Sequence, residues 1–347
     1  MGQHPNQSAE DALAIIRKKY GDGAVICGDM VVKNIDTVSS GSLSLDIALG
    51  VGGFPKGRIT EIFGAEGCGK TTIALETIAQ AQKLGGTAAF IDVEHALDFQ
   101  YAKKLGVNVQ ELLISQPDSA EEALTIAEIY CQSGSVDIFV LDSVAALVPQ
   151  AELDGEMGDA HMGLQPRLMS QALRKMKGHI NTNKTIAIFI NQLRQKMGIT
   201  FGSPDVTPGG KALKFYSTIR VDMRRISTVK GKGEGSDPVG HRVRAKVVKN
   251  KVAPPFREAE FEMTYSGHGV NKGMEICEIG NKCGVLTKNG SHYAYNELRL
   301  GQGKEVAAQF FIDNPDIAAE IKDKILELKL PHRREEDAST SKPEIRD

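Results

Sequence analysis

The chain has 347 residues, a formal net charge of −2, 41% apolar residues and 25% charged residues. This composition fits a soluble globular protein of two or three domains. The near-neutral charge excludes a protein that coats nucleic acid by bulk electrostatics, so any such binding must come from local basic loops. No apolar run approaches the ~18 residues of a membrane span, and residues 1–11 lack a secretory core. A cytoplasmic protein without a membrane partner is expected. The cysteines at 27, 68, 131, 277 and 283 show no C-x-x-C pairing, so neither a zinc site nor a disulfide framework is indicated.

In chain order, the first element is a short helix with Ser8 as candidate N-cap and Ala12, Leu13, Ile15 and Ile16 on its apolar face. One short helix cannot bury that face alone, so it packs either on its own core or on a neighbouring subunit. Apolar, β-branched runs at 58–63, 87–93, 112–115, 136–141 and 185–191 alternate with helical patterns near 71–83, 97–105, 119–132 and 166–181. The alternation predicts an α/β fold, a mostly parallel sheet covered on both faces. Runs at 217–224 and 241–249 extend that sheet in an antiparallel sense around a Gly/Lys-rich turn. The expected division is a helix and linker over 1–32, a core over 33–267, a small α+β domain over 268–330 and a polar, disordered tail over 331–347.

Residues 64–71 read G-A-E-G-C-G-K-T, a full match to G-x-x-x-x-G-K-[ST] between a strand pattern and a helix pattern. Glycines let backbone N–H groups turn towards a β-phosphate, and the helix start adds partial positive charge. The expected nucleotide contacts in and beside the loop are Glu66, Gly67, Cys68, Gly69, Lys70, Thr71 and Thr72, with Lys70 on the β/γ-phosphates and the Thr71 hydroxyl on Mg²⁺. Cys68 is either a small residue tolerated in the loop or a redox switch whose thiol Lys70 activates. Asp142 ends the strand V-D-I-F-V-L-D-S and is a second candidate Mg²⁺ ligand. Asp92 and Glu94 in F-I-D-V-E-H lie on the same face by alternation, and either can polarise an attacking water. His95 reads as a structural neighbour. Asn191 and Gln192 end another strand, where an amide can sense the γ-phosphate. They begin a long loop carrying Arg194, Lys196, Met197, Ile199 and Phe201 and ending in Gly209 and Gly210. Loops of this length inside compact domains are usually functional, with basic residues for phosphates and apolar ones to wedge between bases. A second Gly/Met loop spans 154–164.

Taken with S-S-G-S-L-S-L-D-I-A-L-G-V-G-G (39–53), F-I-D-V-E-H-A-L-D (90–98), L-D-S-V-A-A-L-V-P (141–149), G-D-A-H-M-G-L (158–164), F-I-N-Q-L-R (189–194), G-G-K-A-L-K-F-Y (209–216) and V-K-N-K-V-A-P-P-F (248–256), the chain closely resembles the bacterial RecA recombinase family from about residue 8 to 330. The resemblance implies a phosphate-loop NTPase core of RecA type, with an N-terminal polymerisation helix and a small C-terminal domain. It implies a DNA-dependent ATPase that forms a filament of its own copies on single-stranded DNA, pairs it with homologous duplex and exchanges strands, using ATP and Mg²⁺. Loader proteins and an SOS repressor whose self-cleavage it promotes are implied partners. By the same resemblance Glu94, not Asp92, is the catalytic carboxylate, Gln192 is the γ-phosphate sensor, and Asp98 and Tyr101 contact adenine. Lys249 and Lys251 reach the γ-phosphate from the neighbouring subunit, and Phe215 is an interface residue. Met162, Met197 and Ile199 fall where bases are wedged, and Arg167, Ser170, Arg174, Arg194, Lys196, Gly209 and Gly210 where the DNA backbone is held.

The chain departs from the family pattern at Ala65, Gly67 and Cys68, where Pro, Ser and Ser are usual, and at Phe99 for proline. Pro166 sits in the helix after the first loop, where it is tolerable only in a first turn. The 230–237 turn is longer than expected, and the tail has four basic against five acidic residues over 331–347, unlike the clearly acidic tail of many members. Two readings compete with a recombinase. One is a small-molecule or nucleotide kinase, which has no need of paired Gly/Met loops. The other is an ATP-binding structural or regulatory filament protein without strand exchange.

Overall fold

The computed structural model describes residues 5–21, 24–25, 35–156, 158–159, 163–195, 205–231 and 236–330. Residues 1–35 and residues from 36 onward form separate compact units. In the first, helix α1 spans Pro5–Tyr20, so Ser8 lies inside the helix and does not cap it. Proline's fixed φ suits a first helical position, which moves the start upstream. Arg17, Lys18 and Lys19 occupy its last turn, where cations favour the helix dipole.

In the second unit, β1 (Thr37–Val38) pairs with β2 (Phe54–Pro55) across helix α2 (Leu43–Leu49). There follow β3 (Ile59–Gly64), α3 (Lys70–Lys83), β4 (Ala88–Asp92), α4 (Phe99–Lys104), β5 (Leu113–Ser115), α5 (Ala120–Ser133) and β6 (Ile138–Asp142). After α6 (Gln150–Leu153) come α7 (Leu164–Asn183) and β7 (Ile186–Gln192), then the short pair β8 (Arg194–Gln195) and β9 (Asp205–Val206) and helix α8 (Ala212–Tyr216). Strands β10 (Ile219–Lys230), β11 (Pro238–Asn250), β12 (Glu258–Thr264) and β13 (Gly269–Val270) complete one nine-stranded sheet, ordered β13-β12-β11-β10-β3-β7-β6-β4-β5. From β10 through β5 the neighbours run parallel, and from β10 to β13 antiparallel. The fold is α/β, mostly parallel at its centre, as the alternating pattern predicts.

Strand β6 illustrates the two-faced burial. Ile138 and Val140 join one apolar cluster with Ile73 and Ile78 of α3, while Phe139 and Leu141 join another with Leu124 of α5 and Leu173 and Met176 of α7. Successive side chains point to opposite faces, so a strand covered on both sides reads as a continuous apolar run. Phe139 meets Phe189 of β7 edge-to-face at 5.8 Å.

The last part of the unit comprises α9 (Lys272–Lys282), the antiparallel sheet β14 (Thr287–Asn289), β15 (His292–Tyr295) and β16 (Leu298–Gln302), and helices α10 (Lys304–Asp313) and α11 (Pro315–Lys329). Its apolar cluster includes Leu43 of α2 beside Cys277, Phe311 and Ile325. The fully buried Glu275 of α9 accepts the Ser42 hydroxyl at 2.6 Å and the Leu43 and Ser44 amides at 3.0 Å each. A buried carboxylate thus caps the start of α2 from 230 residues downstream, satisfying amides that helix geometry leaves unpaired. Burial raises its pKa and these bonds oppose the rise. Among the described residues no helix is long and apolar enough to cross a membrane.

Candidate active site

Parallel strands end on the same edge of their sheet, so the residues after β3, β4, β6 and β7 converge. After β3 the loop turns through Gly67 (φ 67°) and Gly69 (φ 89°), both left-handed, a region glycine enters without steric cost. At Gly64 a Cβ would stand 2.2 Å from the Met223 carbonyl oxygen, so backbone excludes a side chain there. At Gly69 it would stand 2.1 Å from the sulfur of the flexible Met263, and the φ of 89° strains any other residue. At Gly67 nothing lies within 4 Å, so that departure from the family pattern is decided by backbone angle and not by space. Helix α3 begins after Gly69 without a side-chain cap, in contrast to α4 and α5, capped by Asp98 and Ser119. No N-cap side chain covers its first turn, an arrangement that receives anions.

The Lys70 ammonium donates to the carbonyls of Gly64 (3.1 Å) and Ala65 (2.8 Å). Thr71 donates its hydroxyl to Asp142 at 2.6 Å, joining the loop to the tip of β6. Asp142 is mostly buried, and desolvation pushes its carboxyl up to about 6 against the Thr71 bond that lowers it. Among the described residues no cluster of three or more His, Cys, Asp or Glu could hold a metal. A hydroxyl plus one carboxylate nonetheless suits Mg²⁺, which keeps water and binds phosphate oxygens rather than an all-protein cage. Thr71 and Asp142 fit that ion.

Asp92 and Glu94 differ in burial and in their bonds. Buried Asp92 accepts the Ala96 and Leu97 amides and the Gln116 side chain, which occupies both of its oxygens in holding the strand-to-helix turn. Exposed Glu94 accepts Ser143 at 2.5 Å and the Gln192 amide at 3.0 Å. Both bonds fall on one oxygen, Oε1, so Glu94 joins the tips of β4, β6 and β7. His95 adopts a left-handed φ of 53° in that turn. Cys68 is buried, and desolvation raises its thiol pKa despite Lys70 nearby; the redox reading fails, because a buried thiol is neither ionised nor reachable.

The loop opens on a cleft of about 260 Å³ lined by Gly67, Gly69, Lys70, Thr71, Thr72 and Tyr101, and also by His241, Met263, Thr264 and Tyr265. Thr72 and Tyr101 share a hydrogen bond at 2.9 Å, and Asp98 caps α4 through the Gln100 and Tyr101 amides. The replacement at Phe99, the first residue of α4, leaves Tyr101 in the cleft. Glu66 is exposed on the loop. The four residues from β11, β12 and beyond were not found by sequence reasoning, because no local motif marks a residue brought in by antiparallel strands. His241 is buried with no hydrogen-bond partner on either ring nitrogen, and its ring lies 5.4 Å from Tyr265. Burial, assisted by Arg225, lowers its pKa.

Helix α7 carries Arg167, Ser170 and Arg174 at spacings of three and four, one helix face; both arginines are exposed, and Ser170 donates to the Pro166 carbonyl. Pro166 is the third residue of α7, within the first turn as required. Arg194 is exposed on β8. Gly209 and Gly210 have φ of 80° and 75°, and added Cβ atoms would stand 2.8 Å from Val144 and Pro166 respectively. Gln165 ties these parts together: it donates to the Val144 and Leu147 carbonyls and accepts the Gly209 amide. Phe215 is 70% exposed. Lys249 donates to the Lys214 and Phe215 carbonyls, and burial together with Lys251 and Arg220 lowers its pKa. Met162, Lys196, Met197 and Ile199 lie outside the described residues, as do Phe201, the tail and much of the 230–237 turn.

An uncapped helix start behind a glycine loop, with a strand-tip carboxylate on the loop's threonine, defines a phosphate-loop nucleoside-triphosphatase. Comparison with known proteins narrows the class. The RecA N-terminal domain family matches residues 7–271 and the RecA C-terminal domain family matches residues 274–329. The chain is 55% identical to Protein RecA of Clostridium acetobutylicum over 341 residues, 98% of this chain and 96% of that one. It is 56% identical to Protein RecA of Halalkalibacterium halodurans over 317 residues (91% and 90%), and 55% identical to that of Saccharopolyspora erythraea over 338 (97% and 96%). The chain belongs to the RecA family.

Proposed function

We propose that the cleft between the phosphate loop and the tips of β4, β6 and β7 hydrolyses ATP, and that a second copy of this chain completes it. The chain is a DNA-dependent ATPase and recombinase that forms a filament on single-stranded DNA and catalyses homologous pairing and strand exchange. Within that activity the residue roles are our reading. The amides of 66–72 and Lys70 cradle the phosphates, and Tyr101 and Asp98 border the base. Thr71 and Asp142 hold Mg²⁺, which when bound neutralises charge on the phosphate oxygens. Glu94 orients and polarises the attacking water, held in place by Ser143. Gln192 moves between Glu94 and the γ-phosphate and so sets the order of the segment starting at Leu193. Lys249 and Lys251 reach the partner's nucleotide beside the exposed Phe215. Residues 154–164 and 193–210 carry the DNA contacts, and 1–32, 33–267 and 268–330 act as polymerisation arm, motor core and accessory domain. A cytoplasmic location, loader proteins and an SOS repressor as partners complete the reading.

The observation that carries it is the Gln192–Glu94 hydrogen bond at 3.0 Å: the sensor of the loop touches the carboxylate of the chemistry. The test is ATP hydrolysis with and without single-stranded DNA, followed by strand exchange with homologous and non-homologous duplex. Stimulation by DNA and exchange with the homologous duplex alone are expected. Hydrolysis indifferent to DNA, or phosphate passed to a small acceptor, overturns the reading, and stimulated hydrolysis without exchange leaves a passive filament.

A further inference from the structure

Glu61 lies in the middle of β3 with no exposed surface, in a strand otherwise built for an apolar core. A carboxylate there is costly unless both oxygens are paired, and replacing such buried pairs by apolar groups is often neutral for stability. The pairing is directional. One oxygen accepts Arg220 Nε at 2.5 Å across the β10 side, and the other accepts the Asn191 amide at 3.1 Å across the β7 side. The same Asn191 amide donates to the Pro208 carbonyl at 3.1 Å, and its oxygen accepts the Gln192 backbone N–H at 3.0 Å. Both ends of the long loop and the sensor therefore hang on one side chain. On the other side Arg220 stacks on Phe63 at 4.5 Å and pairs in register with Lys249, whose ammonium rests on the Lys214 and Phe215 carbonyls.

We propose that Glu61 is a positioning residue that couples the face carrying Lys249 and Phe215 to Gln192 and, through Pro208, to both ends of the 193–210 loop. The inference rests on the functional reading above. When Lys249 leaves its carbonyls for a neighbouring copy, the like charge beside Arg220 is removed. Arg220 and the carboxylate then settle anew, and Asn191 follows. Contact with the neighbour's nucleotide thereby shifts this subunit's sensor backbone without passing through its own nucleotide.

The test uses the full chain with Glu61→Gln and, separately, Asn191→Ala, which cuts the same link while leaving the Glu61–Arg220 pair in place. For each, affinity for a fluorescent ATP analogue, hydrolysis without DNA and hydrolysis with single-stranded DNA are measured. Affinity and DNA-free hydrolysis of Glu61→Gln are expected within about twofold of wild type, while the DNA-stimulated rate falls about five- to thirtyfold. The double variant should lose no more than the larger single loss, since residues acting on one path are non-additive. Equal losses in basal and stimulated rates, additive losses, or full stimulation in both variants overturn the coupling. If Glu61→Gln fails to fold, Asn191→Ala alone decides by the split between stimulated and basal rates. A wild-type chain indifferent to DNA would instead overturn the functional reading itself.

Discussion

The two halves of the large sheet use charge in opposite ways. In the parallel half, β4, β6 and β7 are apolar until their last residues and carry polar groups at one end. There Asp142 holds Thr71 of the phosphate loop, Glu94 holds Ser143 and Gln192, and Asp92 holds a turn. Strand β3, with Glu61 at its middle, is the exception. In the antiparallel half, Arg242, Arg244 and Lys246 of β11 face Glu258, Glu260 and Glu262 of β12 in a ladder of ion pairs. Parallel strands share one terminal edge, so their tips can build a site, whereas antiparallel strands end on alternate edges and spend their charges pairwise along the sheet. The exceptions on the antiparallel side are informative, since Lys249 sits at the end of β11 and His241 lines the cleft beside the phosphate loop.

That contrast is sharpest at Glu94. Replacement by Gln keeps the shape and removes the charge, so turnover should fall by about 10²–10⁴ while nucleotide and DNA binding persist; rapid hydrolysis in a single-turnover assay would remove Glu94 from the chemistry. Next in size, Lys249→Ala and Lys251→Ala should each lower DNA-stimulated hydrolysis by roughly a hundredfold yet leave nucleotide binding by the monomer unchanged. Unaltered stimulation would place both lysines with the structural ladder. A smaller effect concerns pH. Because the Asp142 carboxyl titrates at about 6 rather than 3.8, protons compete with Mg²⁺ at a higher pH than for an ordinary aspartate. Mg²⁺-dependent nucleotide affinity should be fully present above pH 7 and fall about tenfold per unit below pH 6. Titration of Mg²⁺ dependence across pH 5–8 checks this, and Asp142→Asn should flatten the profile. The least effect is expected at the ladder: Glu260 is 37% exposed in its side chain, and Glu260→Ala should cost no more than about 1 kcal/mol in denaturant unfolding and leave hydrolysis unchanged. A larger loss would mean that the antiparallel half does more than pair charges.

Much of the parallel half was legible in one dimension. The run at 136–141 became β6 (Ile138–Asp142) and the pattern at 166–181 became α7 (Leu164–Asn183), because both-sided burial writes itself as an uninterrupted apolar stretch and a helix stripe as a period of 3.6. The phosphate loop was legible for a related reason: its chemistry lies in consecutive residues. Alternation could not separate Glu94 from Asp92, the family resemblance chose Glu94, and the hydrogen bonds agree with that choice by tying Asp92 into the turn while Glu94 stays exposed. Gln165, Ser143 and His241 carried no signal, since their roles depend on partners tens to more than a hundred residues away. The helix start at Pro5, upstream of Ser8, shows the ordinary limit of boundary reading.

Fold class, strand and helix order, the phosphate loop and the family were all readable from the residues alone, because each is encoded by local periodicity or by contiguous residues. Tertiary packing alone shows that Asp92 is spent on a turn, that Cys68 is sealed from solvent, that Glu275 caps a helix more than 230 residues earlier, and that Glu61 joins Arg220 to Asn191. The physical reason is the same in each case. Hydrogen-bond direction and burial are properties of neighbours across strands, and those neighbours are chosen by sheet order, which no short stretch of this chain specifies.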